Sequence, residues 1–464
     1  MVCGVNPRAG ILWKYRTRCH DLKIELADAY RDTALGSEGA ELLSPCVQCG
    51  QCTFRCPTFR LLGDEWDGPR GRIYLIQKML EDRAPGGADM SPGYSLETLQ
   101  GRSPGTTVQH YLDRCLSCRS CEASCPEGVR YGRLLDLGRE LAERLAPRPI
   151  GQRLARRTVR VLVPHRRRFT ALLRAGQALR FLLPRRLRVR IPPRRVAGPW
   201  PGRTHARRML VWQGCVQPGL APDINAAAAR VLDRFGIELS PAPDVCCGAI
   251  SLHMAAADEA RAHMRHAIDA LWPHIDAGAE AIVFTASGCG MHFRDYGELL
   301  RDDPRYADKA RRISEMTRDI AEIVTGVWTE AAGPRLPTPA SPLRVVFQSS
   351  CSLQHGEKLN GIVEQVLKRA GFKLLRAAYP FMCCGAAGAY SLLQRELSES
   401  LRASKMETLL AVRPQVIATA NIGCINHLSE TAPVPVQHWI ELLDEAFIAA
   451  ETQAPRSGTP EPAH

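Results

Sequence analysis

The stretch "CVQCGQCTFRCP", Cys46 to Pro57, places four cysteines within eleven residues at intervals of three, three and four. A structural zinc site normally takes two cysteines from such a loop and two ligands from elsewhere. Four in one loop, with a widened last interval closed by proline, call for a different reading.

A second copy, "CLSCRSCEASCP", runs from Cys115 to Pro126. Both copies read C-x2-C-x2-C-x3-C-P. Three cysteines at this spacing wrap one iron–sulfur cluster, and the fourth, just before proline, reaches the other cluster of a two-cluster ferredoxin. The expected ligands are therefore Cys46, Cys49, Cys52 and Cys125 for cluster 1, and Cys115, Cys118, Cys121 and Cys56 for cluster 2, both [4Fe-4S]. The exchange draws the loops together, so that electrons can pass between neighbours. Proline removes a backbone donor and fixes the exit of the chain. A pair of zinc sites is the bland alternative, and two complete motifs weigh against it. They lie 115 − 46 = 69 residues apart, with the helical pattern "PRGRIYLIQKMLED" between them, which predicts a helix-rich module.

The chain has 464 residues, 45% hydrophobic and 23% charged, ordinary values for a folded protein of two or three domains. Its eighteen cysteines are not ordinary, and all but Cys3 and Cys19 fall into four groups. The N-terminus shows no apolar signal region, and no apolar run approaches the roughly 18 residues that span a bilayer. The expectation is a cytoplasmic chain whose thiols serve metal rather than disulfides. Net charge is +13, yet Arg148 to Arg208 alone carries 19 arginines with no lysine or acid, leaving 13 − 19 = −6 for the rest.

Two later sections repeat each other. "MLVWQGC", "CCG" at 246–248 and "AIVFTASGC" recur as "LRVVFQSSC", "CCG" at 383–385 and "VIATANIGC", with offsets 351 − 215 = 136, 383 − 246 = 137 and 424 − 289 = 135. Such agreement marks an internal duplication. Each half alternates β-branched runs with amphipathic stretches ("PDINAAAARVLDRFG", "EKLNGIVEQVLKRAG", then long helices at about 252–272 and about 389–411), the pattern of a small parallel α/β unit. Its cysteines then sit at strand ends, where such folds bind ligands. Additional metal ligands are expected among Cys215, Cys246, Cys247 and Cys289, and among Cys351, Cys383, Cys384 and Cys424, as further iron–sulfur clusters. His292 and His427, three residues after the last cysteines, are weaker candidates. Small core cysteines are the competing reading.

The fold class expected is thus a multidomain α+β chain: a helical two-cluster ferredoxin domain, then two duplicated small α/β cysteine-rich (CCG) domains. Its divisions are an extension at 1–22, the ferredoxin domain at 23–145, an Arg-rich linker at 146–208, CCG domains at 209–328 and 343–448, and a disordered tail at 449–464. In the linker, "RRRFTALLRAGQALRFLLPRR" predicts an amphipathic helix with Phe169, Leu172, Leu173, Leu179, Leu182 and Leu183 on one face. Such a face either meets an anionic membrane surface or packs on protein; few aromatics and no recognition motif speak against nucleic acid.

With "CVQCGQCTFRCPTFRLLGDEWDGPRGRIYLI", "LDRCLSCRSCEASCPEGVRY", "TASGCG", "CSLQHGEKLNG" and "TANIGC", the chain resembles the iron–sulfur subunits of bacterial glycolate oxidase. Its CCG halves resemble the cysteine-rich domain shared with heterodisulfide reductase subunits and lactate-utilisation proteins. Here each last cysteine belongs to a CxxH where heterodisulfide reductase has CxxC. The resemblance implies flavoprotein partner subunits that oxidise glycolate to glyoxylate, and delivery of electrons towards the respiratory chain, with peripheral contact at the cytoplasmic face of the inner membrane. It implies no catalytic residue for glycolate in this chain, in keeping with the lack of a dinucleotide fingerprint or P-loop. The alternatives are an iron–sulfur subunit of lactate or glycerol-3-phosphate oxidation, and an autonomous thiol–disulfide reductase.

Overall fold

The computed structural model describes residues 24–81, 104–182, 188–330 and 341–453, with Pro184 and Leu336. The extension at 1–22 with Cys3 and Cys19, Leu183, most of the Pro-rich linker and the tail beyond Gln453 lie outside the described residues.

The ferredoxin section is built from helices α1 (Ala34–Leu43), α2 (Pro69–Leu80), α3 (Pro104–Asp113) and α4 (Tyr131–Leu145). Thr33 caps α1 by accepting from the Gly36 N–H, and proline opens α2, where its missing donor is harmless. Leu42, Leu43, Leu75, Ile76, Leu80, Leu112, Leu134 and Leu141 meet in one core beneath the cysteine loops. No strand occurs among the described residues of this section, as the sequence predicts.

The arginine stretch is not a free linker. It forms α5 (Ile150–Leu162) and α6 (Arg166–Ala178), tied to all three neighbours. Arg148 and Arg156 converge on Asp113 at 2.6 and 2.7 Å, Arg160 reaches Glu259 and Arg190 reaches Glu399. The expected single apolar face is divided. Phe169 and Leu173 press on Gly219, whereas Leu172, Leu179 and Leu182 are exposed.

Each repeat forms a four-stranded, wholly parallel sheet. In the first, β1 (Arg207–Val211), β2 (Ile237–Pro241), β3 (Ile282–Phe284) and β4 (Thr317–Asp319) lie in the order β2-β1-β3-β4. In the second, β5 (Arg344–Gln348), β6 (Lys373–Leu375), β7 (Val416–Thr419) and β8 (Val436–His438) repeat it as β6-β5-β7-β8. Registers such as Leu210 with Ile282 and Val345 with Val416 keep β-branched and aliphatic residues central. The covering helices are α7 (Asp223–Asp233), α8 (Ala257–Asp276), α9 (Ser287–Arg294) and α10 (Ile320–Glu330), then α11 (Ile362–Arg369), α12 (Arg395–Leu410), α13 (Ile422–Ser429) and α14 (Trp439–Gln453). α11 begins later than its pattern suggests, because a π-turn at Ser352–Gly356 and a left-handed Gly361 come first. α14 runs to Gln453, into the stretch expected to be disordered, and Arg234 holds it through Glu451 at 2.6 Å.

The halves share one core, in which Val211, Ile224 and Val324 join Val345, Leu367 and Trp439. Their polar seam is dry. Ser287 hydrogen-bonds Ser350 and Ser352 at 2.8 and 2.7 Å, and His438 donates to the Thr285 carbonyl at 2.8 Å. Asp319 and Glu357 lie buried at this seam, Asp319 accepting from the Ala321 N–H at 2.8 Å, while Asp319 Oδ2 and both Glu357 oxygens have no hydrogen-bond partner among the described residues. Burial pushes Asp319 up to about 7 and Glu357 well above the carboxylate range, although Arg294 stands 3.7 Å from Glu357. A folded-state pKa above the unfolded one gives stability that is complete below about pH 4 and lost as pH rises through about 7. Asp319→Asn removes the proton from this linkage. Its apparent melting temperature is expected to fall less than that of the unaltered chain between about pH 5 and about pH 8; parallel falls would refute the raised pKa of Asp319.

Candidate metal centres

The eight ferredoxin cysteines line two adjoining cavities. Cys46, Cys49, Cys52 and Cys125 face the first, together with Gly50, Arg70 and Ile73. Cys56, Cys115, Cys118 and Cys121 face the second, with Thr58, Arg72 and Tyr131. The second cavity thus has three sulfurs from one motif and one from the other, while the first has three from its own motif and Cys125, with Cys121, from the other. Cys121 and Tyr131 border both, so only side chains separate them.

The loops are shaped for this in the same way. Gln48 and Gly50 in the first, and Ser117 and Arg119 in the second, have φ between +52° and +78°. Three of these four are not glycine, and left-handed backbone at such residues is strain that clusters at functional sites. The turn aims N–H groups at sulfur, as Gln48 does to Cys46 and Ser120 to Cys118. Burial holds the Cys46 thiol above its usual range, lifts Cys52 to about 12 and pushes Cys118 and Cys121 far up. Sulfurs this dry ionise only opposite a cation, which the iron of a cluster supplies. Among the described residues, no three His, Cys, Asp or Glu side chains converge on a single ion. The sulfurs frame a space rather than a point, and this donor set fits a multi-iron group better than zinc.

Two features of the second cavity are not announced by any motif. Arg72 is buried and donates to the Tyr111 carbonyl, Thr58 Oγ1 and Asp67 Oδ1 at 2.9, 3.1 and 3.2 Å, with Cys56 Sγ at 3.8 Å. Asp67, fully buried, is shared with Arg114 at 2.6 Å. Tyr131 turns its hydroxyl to Cys115 Sγ at 3.8 Å. The only sequence signal for Arg72 is a charge inside the apolar register Ile73, Leu75, Ile76.

In both repeats the cysteines leave the carboxyl ends of the strands. Cys215 and Cys351 follow β1 and β5, Cys289 and Cys424 follow β3 and β7, and the CCG turns follow β2 and β6. With the order β2-β1-β3-β4, the chain reverses its winding between β1 and β3, the crevice where open parallel sheets bind ligands. The glycine of each turn is obligatory: Gly248 and Gly385 have φ of +89° and +91°, and a Cβ there would meet the Ala260 or Ser398 carbonyl at 2.7 or 2.6 Å. Cys351 and Cys383 come within 3.9 Å, and Cys384 and Cys424 within 3.1 Å. In the first half, the neighbouring thiols of Cys246, chiefly, and Cys289 hold the Cys247 thiol far below its ordinary range. Burial raises Cys215 to about 12. The two candidate histidines are engaged elsewhere through Nε2: His292 donates to the Cys247 carbonyl at 3.0 Å, and His427 meets Ser398 Oγ and O at 3.2 and 3.3 Å.

The ferredoxin section meets the halves unequally. Against the first it makes ion pairs, Arg119 with Asp295 and Arg130 with Glu298 at 2.5 Å. Against the second it makes a dry junction: Leu116 and Cys118 pack with Cys351, Cys383, Tyr390 and Leu401. Arg55 stacks on Phe381 at 4.5 Å and Arg60 on Tyr379 at 4.8 Å beside it. Cys49, at the other end, is exposed.

Paired sulfur cavities in a helical module joined to duplicated cysteine-rich domains define an iron–sulfur electron-transfer protein. The comparisons agree. Residues 42–129 match the 4Fe-4S dicluster domain family, and 209–294 and 345–429 each match the cysteine-rich domain family. The glycolate oxidase iron-sulfur subunit of Escherichia coli is 44% identical over 92% of this chain and 99% of its own length. The probable glycolate oxidase iron-sulfur subunit of Bacillus subtilis is 28% identical over 83% and 88%. Lactate utilization protein A of Bacillus subtilis is 24% identical over 50% of this chain and 96% of its own. The chain belongs to the family of glycolate oxidase iron–sulfur subunits. Its cofactors are [4Fe-4S] clusters.

Arg72→Leu leaves Asp67 buried with one partner and Cys56 without its cation. Removing one member of such a buried pair costs about 3–5 kcal/mol, read as early unfolding in denaturant under anaerobic conditions. Arg72→Lys is expected to recover part of the loss. Equal stability of Arg72→Leu and the unaltered chain would show that Arg114 suffices for Asp67.

Proposed function

We propose that this chain is the electron-transfer subunit of a membrane-associated complex that oxidises glycolate to glyoxylate, taking electrons from flavoprotein subunits and passing them towards the respiratory chain. One observation carries the direction of the relay. Of the two ferredoxin sulfur sets, one reaches the surface at Cys49 and the other is sealed at Cys118 against the second CCG site. Bound [4Fe-4S] clusters supply one-electron carriage. Cys46, Cys49, Cys52 and Cys125 hold the outer one, and Cys115, Cys118, Cys121 and Cys56 the inner one. The outer set offers a partner its access, while Leu116, Tyr390 and Leu401 keep water from the inner junction. The CCG cysteines continue the relay as further redox centres, with His292 and His427 bracing the turns through their backbone bonds. Chemistry on the hydroxy acid belongs to the partners. The lactate utilization relatives support a second reading, in which the partner oxidises lactate.

Purification with its neighbours tests the first reading directly: a flavoprotein that co-purifies should reduce dye with glycolate, and reduction with lactate alone would favour the second. Ligand exchange is tested by Cys56→Ser, which should remove the EPR signal of the 115–121 motif and spare that of the 46–52 motif. Loss confined to the latter overturns the assignment.

Contact with the inner membrane, from its cytoplasmic face, is proposed for α5 and α6. No helix among the described residues is long and apolar enough to cross a bilayer. Ile150, Leu154, Phe181 and Leu182 are exposed beside Arg153, Arg157, Arg167 and Arg168, which form no ion pair among the described residues. Each such arginine contributes about 1 kcal/mol near an anionic surface. Replacing Ile150, Leu154 and Phe181 by serine, and Arg153 and Arg157 by glutamine, is expected to lower flotation with phosphatidylglycerol vesicles. Undiminished flotation excludes this surface.

A further inference from the structure

The second CCG site contains a buried lysine that forms no ion pair with a carboxylate among the described residues. Lys405, on α12, is 3% exposed. Its Nζ donates to the Tyr379 carbonyl at 3.3 Å. Leu401, one turn earlier on the same helix, packs with Cys351 and Cys383, and although burial lowers the Lys405 pKa, the sulfurs of Cys384, Cys383, Cys424 and Cys351 hold it up. A buried ammonium persists only where it is hydrogen-bonded and faces negative charge. The four cysteine sulfurs are the groups here that can carry it.

The first half lacks this cation. Gly385 approaches the Ser398 carbonyl as Gly248 approaches that of Ala260, which aligns the two helices at 398 − 260 = 138. Lys405 then corresponds to residue 405 − 138 = 267, and Ala267 is fully buried in the apolar core. The nearest buried base of the first site, His292, is occupied with the Cys247 carbonyl. The lysine therefore marks the half that meets Cys118 of the ferredoxin section, and not its twin.

We propose that Lys405 is the fixed counter-charge of the redox centre framed by Cys351, Cys383, Cys384 and Cys424, and that it raises the midpoint potential of that centre. The inference rests on the reading of the CCG cysteines as a redox centre. An electron arriving there from the inner ferredoxin set adds one negative charge and makes or breaks no bond. In a dry site an adjacent cation stabilises the reduced form more than the oxidised one. Lys405 thus draws electrons across the Cys118 junction into the second half. It is a positioning residue for charge, not a ligand.

The test is an EPR-monitored redox titration of the full chain purified anaerobically, with Cys384→Ser identifying the signal of the second CCG centre. Lys405→Gln keeps a donor for the Tyr379 carbonyl, Lys405→Met keeps the packing volume, and Lys405→Arg keeps the charge. The Gln and Met variants should lower the midpoint of that centre by the equivalent of at least a tenfold change in equilibrium, 59 mV for a one-electron couple. Ferredoxin signals should stay in place, which also reports that the chain is folded, and the Arg variant should titrate near the unaltered protein. Unmoved midpoints in Lys405→Gln and Lys405→Met overturn the role of Lys405, as does an equal shift in Lys405→Arg. If the unaltered chain contains iron and sulfide for only two clusters and Cys384→Ser removes no signal, the redox reading of the CCG site falls first and Lys405 with it.

Discussion

The two sulfur-bearing parts of this molecule meet in one small apolar cluster, where Cys118 of one domain packs beside Cys351 and Cys383 of another. Thiols in a dry seam neither ionise easily nor pack as well as aliphatic groups, so apolar burial alone does not account for them. The surroundings make the seam tolerable. Leu116, Tyr390 and Leu401 close it, arginines stacked on Phe381 and Tyr379 clamp its edge, and ion pairs on the opposite flank fix the ferredoxin section against the first half. Electron transfer rewards close approach, and this seam brings cysteines of both domains into one cluster.

Around that seam the positive charge is rationed by burial. Arg72 sits within the wall of the inner cavity and is neutralised through Asp67, itself shared with Arg114. The many arginines of α5 and α6 stay outside, paired to Asp113 or exposed. Cluster potentials respond to nearby charge and solvent access. Buried cations can therefore tune the sulfur sets, while the surface arginines, screened by water and salt, leave them largely untouched.

Much of this was legible in the sequence, and the limits are physical. Cysteine spacing specifies a ligand loop because the loop is local, so both ferredoxin motifs and their crossing could be read from Cys46 to Cys125. The duplication was visible because three anchors kept their spacing. Long-range facts were not visible. Nothing in "PRGRIYLI" says that Arg72 turns inward, since an arginine on a helix is usually solvated. Lys405 stands four residues from both Leu401 and Leu409, so it occupies a core register, but that clue needs the helix to be placed first. The pairing of the arginine stretch could not be read from the sequence, because its acidic partners, Asp113, Glu259 and Glu399, lie far away in it.

The shared interior of the two repeats has a consequence for how the chain comes apart. Val211, Ile224 and Val324 share one core with Val345, Leu367 and Trp439, while Phe284 and Phe293 belong to a second core confined to the first repeat. The shared core couples the opening of one repeat to that of the other. Oxidative injury at the sulfurs of one half is then felt in the scaffold of the other. The duplication thus left two sites on one shared core.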